Sequence, residues 1–152
     1  MSLQENVRDL VPPAQPGLTL AEYQALSEFR HSIRCFLEFS QKAAQAVGLT
    51  SRQHQALLAI KGYPGGGRVT VGNLAYRLRV RHHTAVELVD RLTEGGLVRR
   101  VHDPVDHRRV FLELTDLADT LLTELSSAHL DELSRIEPML KDVLERRAAR
   151  PA

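Results

Sequence analysis

The sequence predicts a mainly α-helical chain that carries one small β-hairpin in its second half. Two observations support this fold class. Long segments at both ends of the chain place apolar side chains at three- to four-residue spacing, which is the period of an amphipathic helix. Two β-prone runs, Leu97–Val101 and Val110–Leu114, flank a polar turn that contains Pro104. We therefore expect long helices at both ends and a hairpin between them.

Composition limits the class of protein. Hydrophobic residues make up 43% and charged residues 26% of the 152 residues, which is ordinary for a soluble globular domain. No apolar run approaches the roughly 20 residues that a membrane span needs. The first ten residues lack the basic-then-apolar order of a signal peptide. The single cysteine, Cys35, suits the cytosol. We expect a cytoplasmic protein without membrane contact.

The formal net charge of +1 conceals an uneven distribution. Residues 68–109 contain nine arginines and five acidic residues, a balance of +4, whereas the rest of the chain has a balance of −3. Four of the seven histidines also lie in the basic segment. This segment is suited to an anionic partner, and its flanks are not.

A long dimerisation helix is predicted at residues 19–48. The preceding residues, 1–18, contain several prolines and are expected to form a flexible arm. Thr19 and Glu22 have the spacing of a capping box, and Gly48 is a stop signal. A helix of about 28 residues is about 42 Å long. This exceeds the need of a small domain, so part of its apolar face is expected to meet another chain.

A helix-turn-helix with a wing is predicted at residues 49–115. Thr50 begins a short helix, Thr70 begins the next, and a third helix follows at Arg81–Glu94 after a tight break. The hairpin comes directly after it. The order of short helix, tight turn, helix and two-stranded hairpin is a DNA-binding layout.

The C-terminal segment, residues 116–152, is predicted to form two dimerisation helices. Thr115 caps the first, and Ser134 with Glu137 has the spacing of a capping box for the second, with Pro138 in its first turn. Apolar stripes at both ends of the chain are richer than one small domain requires, so we expect a homodimer. The predicted dimerisation residues are Leu26, Phe29, Ile33, Phe36, Leu125, Met139, Leu140, Val143 and Leu144.

The predicted recognition helix crowds basic side chains at its N-terminal end. The helix dipole favours phosphate there, and recognition helices commonly present that end to base edges. The candidate DNA-binding residues of this region are Arg79, Arg81, His82, His83, Thr84, Glu87 and Arg91. Glu87 has two interpretations, because it would either accept a hydrogen bond from a cytosine amine or pair with Arg91 one turn away.

The predicted hairpin tip combines cations and carboxylates. A narrow minor groove concentrates negative potential and favours basic side chains, and an adjacent carboxylate can hold a guanidinium in place. We expect Arg108 and Arg109 to contact DNA. Asp103 and Asp106 are expected to orient them.

The stretch from Leu49 to Thr115 resembles the MarR family of bacterial winged-helix repressors. The strongest matches are the run VDRLTEGGLVRR and the pattern D-x-R followed by five residues and L-T, which starts at Asp106 and Arg108. The resemblance extends over roughly residues 20–145.

This resemblance implies an obligate homodimer on a pseudo-palindromic operator in double-stranded DNA, with the recognition helix in the major groove and the wing in the minor groove. It also implies a repressor, and many members of the family release DNA when they bind a small phenolic or lipophilic effector. His107 stands where members usually have a basic residue. We therefore count His107 as a DNA-binding candidate whose charge depends on pH.

Three histidine or cysteine positions allow other interpretations. His31 and Cys35 lie one turn apart and share a helix face with Glu28 and Glu38, which would suit a metal- or redox-sensing regulator. The simpler interpretation is a surface histidine and a small buried thiol. His54 is the one candidate effector residue, with a packing role as the simpler interpretation. We predict no metal and no cofactor.

Two rival classes of protein remain. The sequence offers no P-loop and no nucleophile–base pair at a plausible spacing, so no catalytic residue and no enzymatic activity are expected. A winged helix that serves as a protein-interaction module is the other rival. It would show no salt-sensitive binding to DNA.

Overall fold

The structure, a computed structural model, describes residues 17–148 and divides into two compact units. One unit comprises the described residues up to Ile33 together with those from Ile136 onward, and the other comprises Arg34–Arg135. Most of the arm predicted at residues 1–18 lies outside the described residues. None of the helices in residues 17–148 has the length and apolar character to cross a membrane.

The order of elements confirms a mainly helical fold with one hairpin. The helices and strands are α1 (Leu20–Ala46), α2 (Ser51–Lys61), α3 (Val71–Leu78), α4 (His82–Glu94), β1 (Val98–His102), β2 (Val110–Leu114) and α5 (Asp116–Ala148). The two strands pair antiparallel, with Val98 opposite Leu114 and His102 opposite Val110.

Threonine capping boxes fix where the helices begin. The Thr50 hydroxyl accepts from the Gln53 N–H at 3.1 Å, and the Gln53 side chain accepts from the Thr50 N–H at 2.9 Å. Thr70 and Asn73 form the same reciprocal pair before α3. Each box satisfies backbone donors that the first helical turn leaves unpaired.

One continuous helix, α5, replaces the two C-terminal helices predicted from the sequence. The predicted helix start at Ser134 is wrong, because the Ser134 hydroxyl donates to the Leu130 carbonyl at 3.0 Å inside the helix. Such back-bonding is open to any serine within a helix. Pro138 lies inside α5 and is exposed, so the helix continues although proline removes one backbone donor.

The second unit has a core shared by α2, α3, α4 and the hairpin. Its largest fully buried side chains are Leu57, Leu74, Leu92, Val69, Val89 and Val98. Val69, in the connection before α3, also accepts a hydrogen bond at 2.7 Å from the Leu112 N–H of β2. The connection between α2 and α3 is therefore attached to the hairpin by backbone as well as by apolar contact.

Two buried histidines pack against each other in this unit. The ring centroids of His54 on α2 and His129 on α5 lie 4.8 Å apart. Nδ1 of His129 lies 2.5 Å from the Leu125 carbonyl oxygen, and Nε2 lies 2.7 Å from the Ser40 hydroxyl. Because a carbonyl oxygen can only accept, His129 carries a proton on Nδ1. In its neutral form it then accepts at Nε2 from Ser40.

His54 is held neutral by its surroundings. It is 3% exposed, and its Nδ1 has no hydrogen-bond partner among the described residues. Burial, and secondarily the proximity of His129, lower the pKa of His54. On the other side of His129 lie the aromatic rings of Phe36 and Phe39, at centroid distances of 5.7 and 5.4 Å. These contacts assign His54 the packing role.

We predict that the free energy of unfolding falls as the pH drops below about 6.5, the value of an unperturbed histidine. The unfolded chain then binds a proton that His54 resists in the folded state, because its folded pKa is lowered. Above that pH, His54 makes its full contribution to the free energy of unfolding. This contribution is lost as the pH falls towards the pKa of His54 in the folded state. Because only one proton is involved, the free energy of unfolding changes by at most about 1.4 kcal/mol per pH unit through His54.

Urea unfolding at about pH 7.5 and about pH 5.5 measures this effect. The variant His54→Phe should show a weaker pH dependence than the wild type, whereas His107→Gln, at an exposed position of the hairpin tip, should retain it. Equal pH dependence in the wild type and His54→Phe would contradict the assignment.

Candidate nucleic-acid interface

The turn between α3 and α4 depends on the backbone conformation of Arg79. This residue adopts the left-handed region, with φ 53° and ψ 43°, and its N–H donates back to α3. The Val80 N–H donates to the Ala75 carbonyl at 3.0 Å and completes the turn. A residue with a side chain is disfavoured in this conformation by about 1–2 kcal/mol. The turn therefore holds an exposed arginine at a position where glycine is the usual residue.

The N-terminus of α4 differs from those of α2 and α3. Arg81 occupies the N-cap position and makes no side-chain capping hydrogen bond. The first backbone N–H groups of α4 thus lack the side-chain acceptor that a threonine supplies to the other two helices. His82 and His83, which follow, are exposed. This end of α4 presents backbone donors and a guanidinium together, an arrangement that suits phosphate.

The remaining face of α4 separates into buried and exposed rows. Ala85, Val89 and Leu92 are buried in the core, whereas Glu87 and Arg91 are exposed. No ion pair joins Glu87 to Arg91 within the part of the chain that the structure describes. The pairing interpretation of Glu87 therefore finds no support in the structure.

The hairpin tip is closed by the Asp103 carboxylate, which is nearly buried at 8% exposure. Its Oδ1 accepts from the N–H groups of Val105 at 2.8 Å and Asp106 at 3.3 Å. The Val105 N–H does most to lower the pKa of Asp103, and the positive charges of Arg68 and Arg109 also lower it. Asp103 thus holds the turn in place in its ionised form.

Asp106 lies beside Arg108, as the sequence analysis expected. Its Oδ1 accepts from the Arg108 N–H at 3.2 Å and lies 3.6 Å from the guanidinium Nε. The Arg108 side chain is 96% exposed. His107 and Arg109 are exposed as well, and the Arg109 carbonyl accepts from the Asp103 N–H at 3.0 Å. The tip therefore presents an exposed guanidinium on a hydrogen-bonded turn.

Among the described residues, Asp103 forms no ion pair with Arg108 or Arg109, although the positive charge of Arg109 helps to lower the pKa of Asp103. Its ion-pair partner is Arg68, whose Nη1 lies 3.5 Å from Oδ2. Arg68 was not among the residues predicted to contact the hairpin. Arg68 lies 35 residues before Asp103, so no local spacing connects the two.

Two further arginines of the basic segment are held by carboxylates of the scaffold. Arg99 pairs across the hairpin with Glu113 at 3.7 Å. Arg100 donates to Asp90 on α4 at 2.5 Å and lies within hydrogen-bond distance of Thr93. Arg100 therefore ties β1 to α4, and neither arginine is a free cation.

A cleft of about 730 Å³ lies in the second unit, beside α4. Thr84, Glu87 and Arg91 of α4 line one side. The other side includes Arg52 and glutamines of α1 and α2. The candidate effector residue His54 is not among the lining residues. Volumes of about 300–1,000 Å³ are typical of small-molecule sites.

The expected dimerisation residues differ in exposure. Leu26, Ile33, Leu140 and Leu144 are exposed, and Phe29, Met139 and Val143 are half-buried. All seven belong to the first unit, where the Ser32 hydroxyl contacts the Met139 sulfur at 3.2 Å. Phe36 packs on His129, and Leu125 is buried in the core of the second unit. Leu125 is therefore a core residue within a single chain.

His31 and Cys35, the residues of the metal and redox interpretations, are both exposed. Within residues 17–148, no group of three or more histidine, cysteine or acidic side chains is arranged to hold a metal ion. Cys35 is exposed, so the expectation of a small buried thiol is wrong.

Comparison with known proteins relates the middle of the chain to one family. Residues 47–109, which include the turn, α4 and most of the hairpin, match the model described as the MarR family. This segment is therefore similar to the MarR family. The transcriptional regulator HosA of Escherichia coli O111:H- is 36% identical over 74 residues, which are 49% of this chain and 53% of that protein. The repressor MdtR of Bacillus subtilis (strain 168) is 26% identical over 106 residues, 67% of this chain and 66% of that protein.

The chain thus spans about half to two thirds of the length of these curated relatives. Solved structures resemble it over more of its length. A MarR family protein from Bacillus stearothermophilus has a TM-score of 0.68 at 20% identity and covers 87% of this chain and 96% of its own. A single-residue mutant of S. aureus MepR bound to an oligodeoxyribonucleotide has a TM-score of 0.66 at 20% identity and covers 88% and 99%. These likenesses confirm the MarR winged-helix fold.

Proposed function

We propose that this chain is a cytoplasmic, homodimeric, sequence-specific DNA-binding regulator that acts as a repressor and has no catalytic activity of its own. One observation carries the proposal: the uncapped, basic N-terminus of α4 and the exposed Arg108 of the hairpin occur in one winged helix-turn-helix unit. The names of the relatives support it, since MdtR is a repressor and the MepR mutant is bound to an oligodeoxyribonucleotide.

The proposed contacts follow from exposure and charge. The N-terminal half of α4 enters the major groove, where Arg81, His82 and His83 reach phosphate or base edges. Glu87 is exposed and, among the described residues, forms no ion pair with Arg91, so it is available as an acceptor for a cytosine amine. Arg108 of the hairpin enters the minor groove, where negative potential is strongest if the groove is narrow.

A second copy of the chain is the proposed occupant of the apolar surface of the first unit. Leu26, Ile33, Leu140 and Leu144 are large apolar side chains exposed in this one unit. Large apolar side chains exposed in one unit suit an association site. A two-fold dimer also matches a pseudo-palindromic operator, because its two recognition helices then meet equivalent half-sites.

The cleft beside α4 is the proposed site of a small effector. Because Glu87 and Arg91 line the cleft and belong to the DNA-reading helix, a ligand there alters the groups that face the operator. Arg52 and Arg91 suit an acidic or phenolic ligand.

The wild-type chain should bind the DNA upstream of its own gene more tightly than a scrambled duplex. With about 6–10 phosphate contacts, the logarithm of the affinity should fall against the logarithm of the salt concentration with a slope of about −5 to −9. Arg108→Ala should weaken binding about tenfold or more, because it removes the exposed cation of the hairpin tip. Fluorescence anisotropy over a salt series measures both quantities.

The matched control for that experiment is Arg135→Ala, which removes an arginine that pairs with Glu132 one turn away on α5. It should leave the affinity unchanged. If Arg108→Ala bound the operator as tightly as the wild type, Arg108 would not contact DNA. If this variant were a monomer, the hairpin would have a role in dimerisation that the proposal does not include. A wild type that binds no DNA at low salt would favour the protein-interaction module.

Leu144→Glu should convert the dimer to a monomer, because dimerisation would bury an unpaired carboxylate in an apolar interface. Leu144 is 60% exposed in the single chain, so the substitution leaves the core of the monomer intact. Leu58→Glu, at a leucine that is 48% exposed on α2, is the control and should remain dimeric. Sedimentation velocity distinguishes the two states, and a dimeric Leu144→Glu variant would exclude this surface.

A ligand of the proposed class should release the operator and raise the melting temperature of the free protein. A panel of aromatic and lipophilic acids, screened by thermal shift and then by anisotropy, tests this. Arg52→Ala should weaken the effect of any active compound, because it removes one cation of the cleft. Operator affinity that stays constant across the panel would argue against effector control.

A further inference from the structure

Arg68 lies outside the helices of the helix-turn-helix and outside the two strands, yet its side chain contacts the hairpin. It belongs to the connection between α2 and α3 and directly precedes Val69, whose carbonyl accepts from the Leu112 N–H of β2. The backbone next to Arg68 is thus attached to the hairpin. This anchorage limits where the arginine side chain can reach.

The two oxygens of Asp103 have different partners. Oδ1 accepts from the backbone N–H groups of Val105 and Asp106 and so closes the tip. Oδ2 faces the guanidinium of Arg68, with 3.5 Å between Oδ2 and Nη1. The carboxylate side chain is 11% exposed, and a charge with so little access to water requires a cation or hydrogen-bond donors around it. Arg68 supplies the cation.

Phe111 also contacts the guanidinium of Arg68. The Arg68 Cζ atom lies 5.1 Å from the centre of the Phe111 ring on β2, within the range of a cation–π contact. The guanidinium therefore contacts both an aromatic ring of one strand and a carboxylate at the tip. Together, these contacts span the hairpin from its strand to its turn.

We infer that Arg68 is a positioning residue of the hairpin: it retains the Asp103 carboxylate in the turn that presents Arg108 to DNA. The inference rests on the proposed DNA-binding function. Arg68, whose side chain is 64% exposed, then acts through Arg108, because its guanidinium contacts Asp103 and Phe111 of the hairpin. The connection between α2 and α3 thereby takes part in operator binding without touching the operator.

A double-mutant cycle tests this dependence. Arg68→Ala should weaken operator binding about three- to tenfold, and adding it to Arg108→Ala should weaken binding little further, since coupled residues are not additive. Arg68→Lys, which keeps a cation beside Asp103, should recover at least half of the lost binding free energy. Arg135→Ala again serves as the control for loss of one arginine.

Two outcomes would overturn the inference. Additive effects together with a salt slope that is less steep by about 1 would identify Arg68 as a direct phosphate contact. Unchanged affinity in Arg68→Ala would show that the hairpin positions Arg108 without it.

A measurement without DNA separates this inference from the proposed function. In Arg68→Ala, the amides of Val105 and Asp106 should exchange faster with solvent, and the pKa of Asp103 should rise because a neighbouring positive charge is lost. NMR of the full chain measures both. If these changes occur in a protein that binds no DNA, the positioning role stands and the proposed function fails. Unchanged exchange and an unchanged Asp103 pKa would refute the positioning role.

Discussion

Burial of a few apolar side chains beneath α3 and α4 is the constraint on which the DNA-facing surface depends. α3 has only eight residues, and a helix of that length is not stable by itself in water. Its position comes from Leu74, which is fully buried in the same cluster as Leu57 and Leu92. The hairpin enters this cluster through Val98. The recognition helix and the hairpin are therefore placed by one core, and a change in that core moves both.

The arginines of the basic segment have two different roles: some form ion pairs that join elements of the fold, and others are exposed to solvent. Arg99 and Arg100 pair with Glu113 and Asp90, and those pairs join the strands to each other and to α4. Arg108, in contrast, is almost fully exposed, with Asp106 beside its base. The nine arginines of residues 68–109 consequently outnumber the guanidinium groups that are available to a polyanion. The carboxylates of Asp90 and Glu113 determine which of these groups remain available.

The sequence was sufficient to predict most elements, because their signals are local. The capping pair Thr50–Gln53 and the apolar spacing of α4 depend on neighbours within a few residues. The start predicted at Ser134 was wrong because a serine three residues before a glutamate has the same spacing inside a helix as at its beginning. Local pattern alone does not separate these two cases.

Contacts between residues that lie far apart along the chain could not be predicted from the sequence. The pairing of Arg68 with Asp103 spans 35 residues, and the packing of His54 against His129 joins two helices that are far apart along the chain. Neither pair has a spacing that identifies it. The candidate site was therefore predictable as a list of exposed basic residues. The side chains that hold those residues in position became visible only in the folded chain.

The left-handed conformation of Arg79 has a consequence for any attempt to make this protein more heat-resistant. A glycine at this position relieves about 1–2 kcal/mol of backbone strain in the turn. It also removes a guanidinium next to the recognition helix, so the gain in stability is coupled to a loss of positive charge. Selection for thermal tolerance alone would favour glycine at this position, whereas selection for tight DNA binding would favour arginine.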